Sequence, residues 1–464
     1  MPTAPASPVP ATTKSDKPLG FWMCTALIVG NMIGMGIFML PAALAPHGLN
    51  SFSGWAITVI GCLFIAHVFA HLARAMPHED GPYGYTKRCF GSGTAFFVMW
   101  CYWASIWISN AALAIGIVGY LSTLFPILTA MPLLQPATAL AVIWFFVLVS
   151  LSGARLSGRV QLASAALKLL PMGAVVLLGG WVLFTDSSAY GAHLPSTPLT
   201  LDATAAAGTI ALFAMLGVEC ATLPATKVVD PETTIPRATI AGTLIAAVVY
   251  VSVCTVPLLL LPQAELAQSN APYADLFNRF WQPGTGRWLA IAVIISGLGA
   301  LNGWTMLAGE VTASFATHGM FPALLKRPNR HGAPFWSLLL IGVLASTMVV
   351  MNYSRSLAEG FAFLTMVVTA ASMPLYLVGG VAIFKLWKRG ALRAKAALPV
   401  LLLFSAAMTC IFSVWALYGM GREAFIWSLV LGAASLPVFW LIRRGRKEPS
   451  KTSDAISGRI MNEL

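Results

Sequence analysis

Two segments carry residue types and spacings that suggest ligand chemistry rather than bond breaking. The first is Val29-Gly30-Asn31-Met32-Ile33-Gly34-Met35-Gly36. The second is Leu212-Phe213-Ala214-Met215-Leu216-Gly217-Val218-Glu219-Cys220-Ala221-Thr222-Leu223-Pro224. Both lie inside long apolar runs, yet their Gly, Asn and Pro residues are poor for a continuous helix. Within a membrane, unwound backbone is tolerated only where protein or a water-filled cavity surrounds it. Close helix packing through Gly30 and Gly34 would account for the first segment taken alone. Paired interruptions at equivalent places in two halves of a chain point instead to a transport site. A half-helix starting after Gly34 would aim free N–H groups at an anion such as a carboxylate. Carbonyls around Phe213 to Leu216 would accept hydrogen bonds from an ammonium.

Four ionisable groups fall inside apolar runs, where charge is costly and function is the default expectation: His67, Lys168, Glu219 and Glu310. Glu219 directly follows the second interruption and suits either a structural, gating role or proton carriage. Lys168 lies too deep in its run to reach water easily. Its ammonium would lose its proton or donate to carbonyls at a break, with Glu310 as a candidate partner. His67 and His71 share a helix face. Without a third ligand nearby they are expected to be ordinary hydrogen-bonded histidines, and no metal site is expected. Asn110 would bind substrate or bridge helices, since a buried amide needs partners. Trp304, beside Gly303, suits a binding wall whose indole face attracts cations, or a lipid contact.

The elements that must position these groups are membrane helices. Of 464 residues, 58% are hydrophobic and only 9% are charged. Soluble domains carry about 25% charged residues, so the solvent must be lipid. Apolar runs predict twelve spans near 20–45, 54–76, 93–124, 137–153, 160–184, 204–225, 236–262, 287–316, 334–351, 359–384, 396–418 and 424–442. With the N-terminus in the cytoplasm, only Arg279, Arg287, Arg355 and Arg422 fall outside. Lys168 falls within a span, and the rest of the 28 Lys and Arg sit on the cytoplasmic side. This asymmetry supports both the span count and the orientation. It also explains the net charge of +12 without nucleic acid, because the basic residues are spread singly over loops. Residues 1–18 read as a disordered cytoplasmic tail with no signal peptide. The seven cysteines are scattered with no CxxC, so neither a disulfide frame nor a metal is expected. No Ser/His/Asp set, metal triad or phosphate loop argues for an enzyme, and no filter motif or charge ring argues for a channel.

Read in order, further segments complete a pattern. They are Leu40-Pro41, Tyr83-Gly84-Tyr85, Lys87-Arg88-Cys89-Phe90-Gly91, Tyr102-Trp103 through Asn110, Gly119-Tyr120-Leu121 and Arg159-Val160-Gln161. Gly217-Val218-Glu219, Ile235-Pro236-Arg237-Ala238-Thr239-Ile240 and Gly303-Trp304-Thr305 follow. Over roughly 19–442 the chain resembles the amino acid–polyamine–organocation superfamily, and within it the basic amino acid/polyamine antiporters. The likeness is greatest to the arginine–agmatine exchangers, with putrescine–ornithine and lysine–cadaverine exchangers close behind.

The resemblance implies an all-α membrane protein with a LeuT-like 5+5 inverted repeat. Helices 1–5 and 6–10 form a core over 19–384, with helices 1 and 6 unwound at mid-membrane. Helices 11 and 12 over 385–442 would supply a homodimer interface, and 443–464 a basic cytoplasmic tail. It implies a bacterial inner-membrane location and a small amino acid or polyamine substrate. Membrane lipid is the remaining partner, and no cofactor is implied. Exchange of an extracellular arginine-like amino acid for an intracellular amine such as agmatine would proceed by alternating access. The implied substrate-binding residues are Asn31, Met32, Met35, Gly36, Ser105, Ile106, Asn110, Phe213, Leu216, Trp304 and Thr365. Tyr102, Lys168, Phe213, Glu219 and Glu310 would serve gating or coupling. There are departures from the arginine exchangers. Met35 stands in place of Ser, Phe213 in place of Trp, Lys168 in place of a small apolar residue, and Glu310 in place of Gln. A Lys at position 168 resembles instead the proton-coupled, sodium-independent permeases of the same superfamily. Such a permease, with Lys168 in coupling, is the alternative function.

Overall fold

The computed structural model describes residues 20–76, 79, 81–131, 133–153, 167–195, 197–218, 228–390 and 399–445. No strand occurs among them. The helices used below are α1 (Phe21–Met32), α2 (Gly36–Leu44), α3 (Asn50–Ala75), α4 (Gly81–Phe90), α5 (Ser92–Leu124), α6 (Leu134–Leu151) and α7 (Leu169–Thr185). They continue with α8 (Leu201–Met215), α9 (Pro231–Leu260), α10 (Gly286–Thr317), α11 (Phe335–Met351), α12 (Leu357–Lys388), α13 (Pro399–Gly419) and α14 (Gly421–Gly445). Short helical segments at Gln263–Gln268 and Pro272–Phe280 connect α9 to α10.

Eight of these helices are long and apolar enough to cross a membrane by length and composition. The shorter apolar ones include α1, α2, α7, α8 and α11. A helix falls within each expected span, and the first span is divided between α1 and α2. Residues 160–166 of the fifth span and 219–225 of the sixth lie outside the described residues. Glu219 is among the residues so excluded.

The helices are layered around α5, whose apolar window is 94% buried, whereas that of α14 is 11% buried. A helix apolar on all sides must therefore be the centre in one case and lipid-facing in the other. Small residues let the inner helices approach. A Cβ on Gly54 of α3 would lie 2.7 Å from the backbone nitrogen of Gly208 on α8. Thr58 donates across the same crossing to the Gly208 carbonyl at 2.9 Å. Trp103 Nε1 ties α5 to α10 by donating to Thr312 Oγ1 at 2.7 Å. The start of α12 is set by a capping box in which Ser356 and Glu359 bond each other's backbone N–H.

The divided first span needs support that its own sequence does not supply. Twelve residues of α1 at a 1.5 Å rise reach about 18 Å, short of a bilayer core of about 30 Å. In α2, Pro41 has no N–H, so the carbonyl of Ile37 loses its helical partner. Tyr273, from the Pro272–Phe280 segment, fills that gap by donating its hydroxyl to the Ile37 carbonyl at 3.1 Å. Tyr120 of α5 donates to the neighbouring Phe38 carbonyl at 2.9 Å. Both phenols also pack edge-on against the Phe38 ring. Replacing Tyr273 with Phe removes one hydroxyl and leaves a buried carbonyl unpaired, which costs about 1–3 kcal/mol. A lower thermal unfolding midpoint of Tyr273→Phe in detergent is the expected result, and an unchanged midpoint would refute the support assigned to Tyr273.

Candidate functional site

The helix of the first span stops where the glycine-rich segment begins. Ile33 N–H still donates to the Val29 carbonyl at 2.9 Å, but Ile33 is extended at ψ 102°. Gly34 and Met35 form a turn, and α2 starts at Gly36. The sixth span stops likewise. Leu216 is extended at ψ 148°, and Gly217 has φ +107°, a conformation that L side chains rarely adopt. Leu216 N–H turns back to the Phe213 carbonyl at 3.3 Å, so one of the carbonyls expected to face an ammonium is already engaged.

The two interruptions meet. A Cβ on Gly217 would lie 3.8 Å from Met32 Cγ. A Cβ on Gly36 would lie only 2.6 Å from Phe213 Cε1, so the Phe213 ring can rest on the start of α2 only because residue 36 is glycine. Among the described residues nothing would lie within 4 Å of a Cβ at Gly30 or Gly34, so no close helix packing through them is seen there. Gly34 instead borders a cavity.

That cavity and its mouth together hold about 570 Å³ of space between atoms, part of it open to solvent. Met32, Gly34, Gly36 and Ile37 line it from the first interruption, and Phe213, Ala214 and Leu216 from the second. Tyr102, Ser105, Ile106, Ser109 and Leu113 face it from α5, Tyr250 from α9, Trp304 from α10, and Val368 and Ser372 from α12. None of these lining residues carries a formal charge. The polar groups at hand are hydroxyls and helix ends. The N-terminus of α2 presents partial positive charge there, and the C-termini of α1 and α8 present partial negative charge. An ion held in this cavity meets oriented peptide dipoles and aromatic faces. Phe213 stands edge-on to Phe361, with ring centroids 5.9 Å apart.

Several expected site residues therefore border one cavity: Met32, Gly36, Ser105, Ile106, Phe213, Leu216, Trp304 and Tyr102. Others do not. Met35 is fully buried with its side chain turned away from the cavity, between Gly116 of α5 and Gly297 of α10. Only its backbone belongs to the interruption. Asn110 is 1% exposed, and its Oδ1 has no hydrogen-bond partner. It lies on α5 at the flank of the face that carries Ser105, Ser109 and Leu113. Thr365 is buried and donates to the Ala362 carbonyl at 2.7 Å, one turn back on its own helix. The side chain of Asn31 lies outside the described residues.

The groups expected to act in coupling are dispersed. Lys168 is 5% exposed, immediately before α7, and does not border the cavity. Glu310 is exposed on α10, in a surface groove that also contains Lys326 and Pro334. No ion pair joins Lys168 to Glu310 among the described residues. Glu310 sits in the last turns of α10, whose 32 residues exceed the about 20 that a bilayer requires. His67 Nδ1 pairs with Ser405 Oγ at 2.9 Å, and His71 Nδ1 pairs with the His67 carbonyl at 2.9 Å. No cluster of three potential metal ligands occurs among the described residues.

The sequence reading missed Ile37, Ser109, Leu113, Ala214, Tyr250, Val368 and Ser372. Helical spacing from Ser105 and Ile106 would have found Ser109 and Leu113. Nothing local marks Tyr250, because it comes from a helix packed beside α1 and α2 that is not itself interrupted at this level.

Comparison with known proteins agrees with this architecture. The chain is 30% identical over 423 residues to the putrescine transporter PotE of Haemophilus influenzae, covering 90% of this chain and 95% of that protein. It is 28% identical over 430 residues to PotE of Escherichia coli K12, covering 92% and 97%. It is 32% identical over 355 residues to the cadaverine/lysine antiporter of Escherichia coli K12, covering 75% and 77%. The family model described as amino acid permease matches residues 19–442. This multi-pass membrane protein, with its cavity between two interrupted spans, belongs to the amino acid permease family.

Proposed function

We propose that the chain is an alternating-access exchanger that takes up an extracellular basic amino acid and releases an intracellular amine. The observation that carries this is the cavity between the two interruptions, which among the described residues has no charged lining side chain and is walled by Phe213 and Trp304. An aliphatic chain with a charged group at each end suits it. The carboxylate takes the N–H groups at the start of α2, and the α-ammonium takes the carbonyl ends of α1 and α8. The distal cation lies against Trp304. Arginine with agmatine is the pair implied by the motif resemblance. The relatives named for putrescine and for cadaverine/lysine support the same class with shorter cations, so all three pairs belong in the test.

The proposal includes twelve crossings in a 5+5 inverted repeat over 19–384, with both termini cytoplasmic in a bacterial inner membrane. It also includes a homodimer through 385–442, where α14 leaves Leu429 and Leu436 exposed. Liposomes loaded with agmatine, putrescine or cadaverine should take up the matching external amino acid, while empty liposomes should not. Uptake into empty liposomes driven by a pH gradient would replace exchange with the second reading, a proton-coupled permease. Burial of Lys168 beside α7 is what favours that alternative.

Trp304→Leu removes the aromatic face and should weaken cationic substrates by about threefold to thirtyfold, as a cation–π contact of 0.5–2 kcal/mol implies. Binding titration checks this, and wild-type affinity would remove Trp304 from the wall. Gly34→Leu places a branched side chain in the cavity, and transport should fall to background while the protein still folds, since Gly34 has open space beside it. Normal turnover in that variant would show that the substrate passes elsewhere. Lys168→Ala should change the pH dependence of transport if Lys168 cycles a proton, and an identical profile excludes it from coupling.

A further inference from the structure

Tyr250 has no assigned part in the site, yet it borders the cavity. Its side chain is completely buried, and its hydroxyl has no hydrogen-bond partner among the described residues. A buried phenol left unpaired is destabilising, and packing alone would be as well served by Phe. The nearest ring is Trp55 of α3, at 6.2 Å between centroids, whose indole nitrogen is also buried and unpartnered. An indole N–H only donates. It leaves the phenol with the same need, which is an acceptor. The helix that carries Tyr250, α9, packs against both α1 and α2. Tyr250 borders the same cavity as Gly34, Gly36 and Ile37, where the free N–H groups of α2 begin.

The cavity's own chemistry identifies the acceptor. The carbonyl ends of α1 and α8 already supply acceptors, so a ligand ammonium does not depend on Tyr250. A carboxylate is an acceptor only and needs several donors. We infer that Tyr250 donates its O–H to the carboxylate of a bound amino acid, adding a side-chain donor to the N–H groups of α2. This rests on the amino acid/amine exchange proposed above and goes further. It names a residue that separates the two ligand classes, since an amino acid carries the carboxylate and its decarboxylated amine does not. Hydrogen bonds to an ionised acceptor are about twice as strong as neutral ones, so the hydroxyl favours the amino acid over the amine.

The test is Tyr250→Phe in the full-length protein, with binding titrations of three matched pairs: lysine and cadaverine, ornithine and putrescine, arginine and agmatine. Each pair differs by the carboxylate alone. The expected result is about tenfold weaker amino acid binding, with amine binding within about twofold of wild type. The thermal unfolding midpoint should be unchanged or higher, because an unpaired buried hydroxyl has been deleted. Equal loss for both members of a pair, loss for the amine alone, or no loss for either overturns the assignment. Failure of the exchange proposal itself would appear in the wild-type protein, as binding of neither class, before any variant is made.

Discussion

Peptide groups removed from water must be paired, and the cavity is built where two membrane helices give up that pairing and meet. Between Met32 and Gly36 the first span gives up its helical hydrogen bonds in the middle of the protein. Such an interruption persists only if its surroundings hold it. Here the hold is specific. Met35 fills the space left by Gly116 and Gly297, and two phenols satisfy carbonyls of α2, one of them orphaned by Pro41. One of those phenols comes from the connection between α9 and α10, so the support of α2 depends on chain far away in sequence.

The cavity that results works without charged side chains among its lining residues. A buried carboxylate or lysine there would bind an opposite charge tightly and would itself be costly when the cavity empties. Helix ends avoid that cost because their partial charges are fixed in the backbone and remain partly solvated in the open cavity. Under the proposed function, two carbonyl ends and one N–H end converging on one volume would recognise a zwitterion by orientation. Aromatic faces add attraction for a distal cation without a counter-charge. Binding in a carrier must be strong enough to load and weak enough to release, and dipoles with π faces suit that range.

Within the family, variation in substrate would fall on the cavity walls more than on the interruptions. Gly36 and Gly217 are tied to backbone requirements: a ring rests on one, and the other has positive φ. Phe213, Trp304, Tyr250 and the hydroxyls of α5 and α12 are free of such requirements. Chemistry can change at those positions while the frame stays as it is.

Much of this was legible in the residues themselves. Apolar runs, the bias of Lys and Arg between loops and the glycine-rich interruption are local properties, and the sequence alone determined the helical class and the place of the first break. It also determined which segment opposes that break, because Gly217 can take a conformation that other residues rarely adopt. Which side chains reach the cavity was decided only by tertiary packing. Asn110 and Thr365 carry the right chemistry, but helix rotation and local hydrogen bonds turn them aside. Glu310 looked buried because hydropathy cannot tell which residues of a long apolar helix its neighbours cover. Tyr250 looked ordinary because its position depends on how α9 lies against α2, and contacts between distant segments leave no periodic mark in sequence.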